Sequence, residues 1–311
     1  MSALFSRIAV VGLGLLGGSL AFAARRRGVA REVVGATRSP SARDRALREG
    51  AVDRVADPEH AVADAELIVL ATPITAMPEV LRRVAPRLAE GAIVTDVGSV
   101  KGPLAEVLPG LLPVGARYVG SHPMAGSHER GMESAHPDLF ADAPCVVCAP
   151  AGDADGERVA AFWRAIGCRV VRRDPERHDA EVAWMSHVPH AMAFAFAAAL
   201  AGAPPGAREV AGPGFRDFTR IAHSDPELWA DIFHANHKAL AAPLQAARSA
   251  FEALCSAIEA GDGNAVLRWL ESARRALYPA PSGGSAGEAR ATSGTPVRDG
   301  PTPKEIDRAH E

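Results

Sequence analysis

Apolar positions change their spacing partway along this 311-residue chain. Short β-branched runs at residues 7–11, 32–37, 66–71 and 92–96 read as buried strands, and helical spacing fills segments between them, 15–27 and 41–49 among them. Further short strands are expected at 118–120, 145–148 and 169–171. Strands alternating with helices predict parallel crossovers, hence a doubly wound α/β sheet. After Asp174 the strand pattern stops. Ala-rich helical runs, broken by Gly202, Gly206, Gly212, Pro213, Gly214 and Pro226, continue to a last helix over 264–278 that Pro279 ends. Residues 280–311 hold Gly, Pro, Ser and charge with almost no large apolar side chains; such a tail cannot offset its ordering entropy and is expected to be disordered. The expected division is an α/β domain over 1–173, an all-α domain over 174–279 and the tail.

Composition narrows the function classes. Hydrophobic residues make up 48% and charged residues 23%, as in a globular protein, and the formal charge of -3 leaves no basic footprint for nucleic acid. The apolar stretch at 8–24 is interrupted by glycines and followed, not preceded, by Arg25, Arg26 and Arg27; the one at 191–203 is too short to span a bilayer. No membrane association is expected. Cys145, Cys148, Cys168 and Cys255 are too few for a disulfide scaffold and suit the cytoplasm. Cys145 and Cys148 have C-x-x-C spacing, but on a strand positions i and i+3 face opposite ways, so they read as structural.

Gly12, Gly14 and Gly17 form G-x-G-x-x-G between the first strand and its helix, the context a dinucleotide fingerprint requires. Gly12 permits the turn, Gly14 lets the backbone approach a pyrophosphate, and Gly17 lets helix pack on strand, giving a Rossmann domain. Leu15 and Leu16 at the helix start, and Thr72 and Pro73 after the strand at 66–71, are placed in the same cofactor site. The second strand ends in Thr37, Arg38 and Ser39, where NAD sites usually carry a carboxylate. A guanidinium and two hydroxyls suit a 2′-phosphate, which favours NADP over NAD, although Arg38 stacked on adenine would suit either.

Candidate chemistry lies at later strand ends and in the helical half. Ser99 and Lys101 follow the strand at 92–96 and could reach a substrate anion. His122, followed by Pro123 and a small-residue turn, is a plausible acid/base group. The helical half adds His178 and Asp179, then His187 and His190, then Arg216 and Arg220 as carboxylate clamps with Asp217 orienting one of them. His187 and His190 could hold zinc, but no carboxylate or Cys at ligand spacing joins them, and no metal is expected.

In order along the chain, the segments 12–19, 96–101, 121–126, 186–190 and 215–222 resemble the prephenate/arogenate (cyclohexadienyl) dehydrogenases of tyrosine biosynthesis, over about residues 7–278. The resemblance implies a Rossmann domain plus an all-α C-terminal dimerisation domain, and a homodimer. It implies oxidative decarboxylation of prephenate to 4-hydroxyphenylpyruvate with hydride transfer to NAD(P), or of arogenate to tyrosine with NADP. His122 should take a hydrogen bond from the ring 4-hydroxyl, with Ser99 beside it and Lys101 adding positive field. Arg220 should pair with the ring carboxylate and His187 with the side-chain keto or amino acid group; His190 and Arg216 join the substrate site. Many relatives carry an acidic gate residue where His128 stands, so a gate here would differ, and no regulatory domain is expected after Tyr278. More distant readings are a β-hydroxyacid or imine dehydrogenase, whose catalytic Lys would occupy the place of His187 and His190, and a cofactor-sensing binding protein without turnover.

Overall fold

The computed structural model describes residues 3–126 and 129–277. Strand β1 (Phe5–Val11) lies at the centre of a six-stranded parallel sheet with β2 (Ala30–Ala36), β3 (Arg54–Val55), β4 (Leu67–Leu70), β5 (Ile93–Asp96) and β6 (Arg117–Tyr118), in the order β3-β2-β1-β4-β5-β6. Ile8 is paired with Val33 on one side and Leu67 on the other. Alternation along each strand feeds two cores. Val10, Leu67 and Val69 pack on one face with Leu20, Phe162 and Trp163; Val11, Ile68 and Leu70 pack on the other with Met77, Leu81, Trp229 and Ile232. A sheet buried on both faces explains the near-continuous apolar strands. The strand order reverses beside β1, where a doubly wound sheet opens its crevice.

Five helices accompany this sheet: α1 (Leu15–Arg26), α2 (Pro40–Arg48), α3 (Pro58–Ala61), α4 (Met77–Val84) and α5 (Gly102–Val107). The strand expected at 118–120 is instead a junction. Tyr118 ends β6, and Gly120 starts β7 (Gly120–Pro123) of a second sheet with β8 (Pro144–Cys148) and β9 (Arg169–Arg172). Strand β7 is antiparallel to β8, which is parallel to β9. Cys145 is buried in the core while Cys148 is half-buried, as opposite strand faces require. Helix α6 (Ala154–Ile166) covers this sheet with Phe162 and Trp163.

Beyond Arg172 the described residues contain no strand. Helix α7 (Pro175–Val182) runs through a five-residue π turn (Ala183–His187) into α8 (Val188–Ala199), followed by α9 (Pro213–Thr219), α10 (Pro226–Ala235), α11 (His237–Glu259) and α12 (Gly263–Leu277). The chain forms two compact units, Met1–Ala250 and Phe251–Glu311, so the helical residues up to 250 belong with the sheets. In the second unit Phe251, Ile258, Leu267, Leu270 and Leu277 are exposed. Among the described residues no helix is long and apolar enough to cross a membrane. The tail at 280–311 and the Ser127–His128 departure lie outside the described residues.

Candidate active site

At the C-terminal ends of β1 and β4 the backbone forms a cradle that only glycine permits. Gly12 has φ +106°, and a Cβ there would lie 2.4 Å from the Ala71 carbonyl oxygen; one on Gly17 would lie 1.8 Å from the Gly12 oxygen. Gly14, by contrast, faces open space and precedes α1 without a side-chain cap, and no acidic residue occupies the first turn with Leu15 and Leu16. The free N–H groups of that turn suit an anion. Beside it the Thr72 hydroxyl, next to Pro73, is buried without a hydrogen-bond partner among the described residues. An open glycine, uncapped amides and an orphaned hydroxyl fit a dinucleotide's phosphates. At the end of β2, Thr37 accepts from the Ser39 N–H at 3.2 Å, and Ser39 caps α2 by accepting from Ala42 N–H at 3.2 Å. These two hydroxyls shape the loop, while Arg38 is exposed and forms no ion pair among the described residues.

His122 lies on β7, 8% exposed. The Ser121 hydroxyl fixes that strand: it donates to the Asp96 carbonyl at 2.6 Å, lies 2.8 Å from the Thr95 hydroxyl, and accepts from the Trp163 indole N–H at 2.9 Å. The Asp96 carboxylate takes hydrogen bonds from the Tyr118 hydroxyl (2.9 Å), the Ser121 N–H (3.1 Å) and the Gly98 N–H (2.9 Å), and pairs with the Lys101 ammonium. Lys101 also donates to the Ser121 carbonyl at 2.9 Å. This corrects the expectation that Lys101 reaches a substrate anion: its side chain is 1% exposed and committed beneath β7. Ser99 is half-buried and its hydroxyl has no partner among the described residues, so it does not hold His122.

The ring of His122 is held from α7. Its Nδ1 lies 2.8 Å from His178 Nε2, and His178 Nδ1 lies 2.7 Å from Asp179 Oδ1. Asp179 also accepts from the Lys101 N–H at 2.7 Å and the Gly102 N–H at 2.8 Å. Burial pushes the pKa of His122 well below the usual histidine value, with His178, Lys101 and His187 adding to the effect, so the ring is uncharged at neutral pH.

The π turn sets the next two histidines. Pro189 lacks the N–H that the Met185 carbonyl would use in an α ladder, and the backbone widens before it. His187 is buried beside Trp229, with Asn236 bridging its Nδ1 (3.0 Å) to the Asp179 carbonyl (3.0 Å). Burial takes its pKa down to about 4. His190 stacks on Trp229 at 3.6 Å and donates from Nδ1 to the Ser186 carbonyl at 2.9 Å, leaving Nε2 as an acceptor. Burial, then the Arg220 charge, lowers its pKa. His187 adds to the lowering at His122, His190 to that at His187, and Arg220 to that at His190. Arg216 and Arg220 are both exposed, and Arg216 donates to the Ala211 carbonyl at 3.1 Å. Asp217 pairs with neither arginine among the described residues, contrary to expectation. Arg130 pairs instead with Asp225, the cap of α10.

Residues 20–172 match the family model for the nucleotide-binding domain of prephenate dehydrogenase, and residues 174–272 match that for its dimerization domain. The chain belongs to the prephenate dehydrogenase family. Cyclohexadienyl dehydrogenase of Zymomonas mobilis is 34% identical over 281 residues, covering 88% of this chain and 95% of that one. The structure of Aquifex aeolicus prephenate dehydrogenase with hydroxyphenyl propionate and NAD+ superimposes with a TM-score of 0.78 at 29% identity, covering 88% of this chain and 97% of that one. Arogenate dehydrogenase of Synechocystis gives 0.71 at 34% identity, covering 88% and 99%. As a prephenate dehydrogenase family member the chain is an oxidoreductase with a nucleotide-binding fold. Within this family member, sequence reasoning placed no role on Asp96, Asn236 or Trp229. Only the acidic residue ending the strand at 92–96 left a signal, in the Asp96-to-Lys101 spacing.

Proposed function

We propose that this family member is a prephenate dehydrogenase, oxidising and decarboxylating prephenate to 4-hydroxyphenylpyruvate. The observation that carries this reading is His122: buried, uncharged, and held through Nδ1 so that its second nitrogen remains for substrate. His122 accepts the proton of the ring 4-hydroxyl as C4 gives up hydride. When bound, the nicotinamide is the hydride acceptor. Loss of CO2 then leaves the ring electrons as a phenolate, and His122 returns the proton, so the aromatic ring is complete and the base is restored. Arg220 pairs with the ring carboxylate, and His190 and His187 receive the side-chain end. The carboxylate departs uncharged, so Arg220 serves orientation more than rate.

Residues 1–173 are assigned to the cofactor and 174–279 to substrate and dimer. A second copy of the chain would cover the apolar residues exposed on α12, Leu267, Leu270 and Leu277. NADP is favoured because exposed Arg38, with no carboxylate beside it, suits a 2′-phosphate. Arogenate is the second reading, favoured by the Synechocystis relative; both substrates offer the same ring to His122.

One assay tests the set: prephenate and arogenate, each with NAD and NADP, followed by nicotinamide absorbance. Turnover of prephenate above arogenate is expected; silence in all four mixtures overturns the reading. Arg38→Ala should raise KM for NADP by roughly 10-fold or more while sparing NAD, the loss of one charged hydrogen bond; equal losses would remove the 2′-phosphate argument. Arg220→Ala should raise the substrate KM on the order of 10- to 100-fold, and an unchanged KM would place the carboxylate elsewhere.

A further inference from the structure

We infer that His178 and Asp179 are positioning residues that fix which nitrogen of His122 carries the proton, presenting a bare Nε2 to the substrate hydroxyl. The inference deepens the proposed dehydrogenase reading and rests on it for its kinetic part. A carboxylate only accepts, so Asp179 at 2.7 Å requires the proton of His178 on Nδ1. A His178 ring carrying that single proton has a bare Nε2, and across the 2.8 Å contact His122 then donates from Nδ1. The lone pair of His122 is thereby left on Nε2, where a general base needs it. Were the proton on Nε2 instead, the ring could only donate to the 4-hydroxyl, and deprotonation would stop.

Asp179 is itself held to this task. Both its oxygens accept backbone N–H groups, from Lys101 and Gly102, and its own carbonyl accepts from Asn236. A Cβ on Gly102 would lie 2.9 Å from Asp179 Oδ2, so the close approach depends on glycine. The charged and titratable groups facing His122 come from three elements: Lys101 after β5, His178 and Asp179 on α7, and His187 in the π turn. Lys101 is neutralised by Asp96, which leaves the Asp179 carboxylate, acting through His178, as the group that orders the protons.

Asp179→Asn exchanges an acceptor oxygen for an amide that can donate, and the proton order loses its anchor. Expected are a fall in kcat of about 10- to 100-fold with little change in NADP or NAD affinity. The acid limb of kcat against pH should move lower, because a cation on the ring pair loses its carboxylate. His178→Gln keeps an acceptor oxygen toward His122 and should retain several-fold more kcat than His178→Leu. Equal kcat in those two variants, or an unmoved acid limb in Asp179→Asn, would overturn the inference. Nitrogen NMR of 15N-histidine-labelled full chain reads the tautomer without turnover. His122 should show protonated Nδ1 and bare Nε2 in the wild type and a mixture in Asp179→Asn. Protonated Nε2 in the wild type would overturn the relay even if the enzyme is active, whereas the expected tautomer without turnover of any cyclohexadienyl substrate would overturn the dehydrogenase reading alone.

Discussion

Replacing His122 by asparagine should lower kcat by about 10²- to 10⁴-fold, the usual worth of a positioned base. Nucleotide affinity should stay within about two-fold, because the cradle at Gly12, Gly14 and Thr72 belongs to β1, α1 and β4 rather than β7. The asparagine amide can still donate toward His178, so the hydrogen bond that joins β7 to α7 has a replacement and the fold should persist. Steady-state kinetics, cofactor titration and a thermal melt distinguish the cases. A kcat equal to wild type would remove His122 from proton transfer, and a melt lowered in step with activity would make its role structural. The pH dependence has a definite sign: the neutral ring is the active form, so the rate is flat above its depressed pKa and falls as pH drops through it.

Lys101→Met should carry the largest stability cost. Lys101 and Asp96 are 1% and 0% exposed, so removing the ammonium strands a buried carboxylate, a change that costs about 3–5 kcal/mol. The remaining donors from Tyr118, Ser121 and Gly98 soften the loss without replacing the charge. Urea unfolding of the single variant and of Lys101→Met combined with Asp96→Asn measures it. The double variant should recover part of the loss, since no lone charge then remains. A single variant as stable as wild type would mean the pair adds nothing to stability and that Lys101 is free for another role.

Much of the fold was legible because its signals are local. The β1, glycine turn and α1 unit, the alternating strands and the change to helix after Asp174 each depend on neighbours within a few positions. The tight glycine turn between β1 and α1 was legible for the same reason. Long-range partners were not. Lys101 read as a free cation because nothing in its own segment says that its ammonium turns back beneath Ser121. His178 and Asp179 were visible as a pair, but their partners stand 56 and 78 residues away. The run at 118–120 read as one strand because each residue suits a strand; that the chain changes sheets between Tyr118 and Gly120 is decided by Asp96, which binds residues on both sides of the junction. Arg216 and Arg220 looked equivalent in sequence and both are exposed; Arg220, not Arg216, adds to the lowering at His190.

The Ser121 hydroxyl, tied to Asp96, Thr95 and Trp163, has a consequence for folding fidelity. In the second sheet His122 stands opposite Val146, and side chains alternate faces along β7. Sliding β7 by one residue would turn His122 away and put Ser121 or Pro123 in its place, with little loss of strand pairing. Ser121 prevents this, since only one alignment lets its oxygen meet all three partners. The hydroxyl thus acts as a proofreading pin: a chain that folds with the wrong alignment would be compact and catalytically dead, and three hydrogen bonds at a single serine make that product unfavourable.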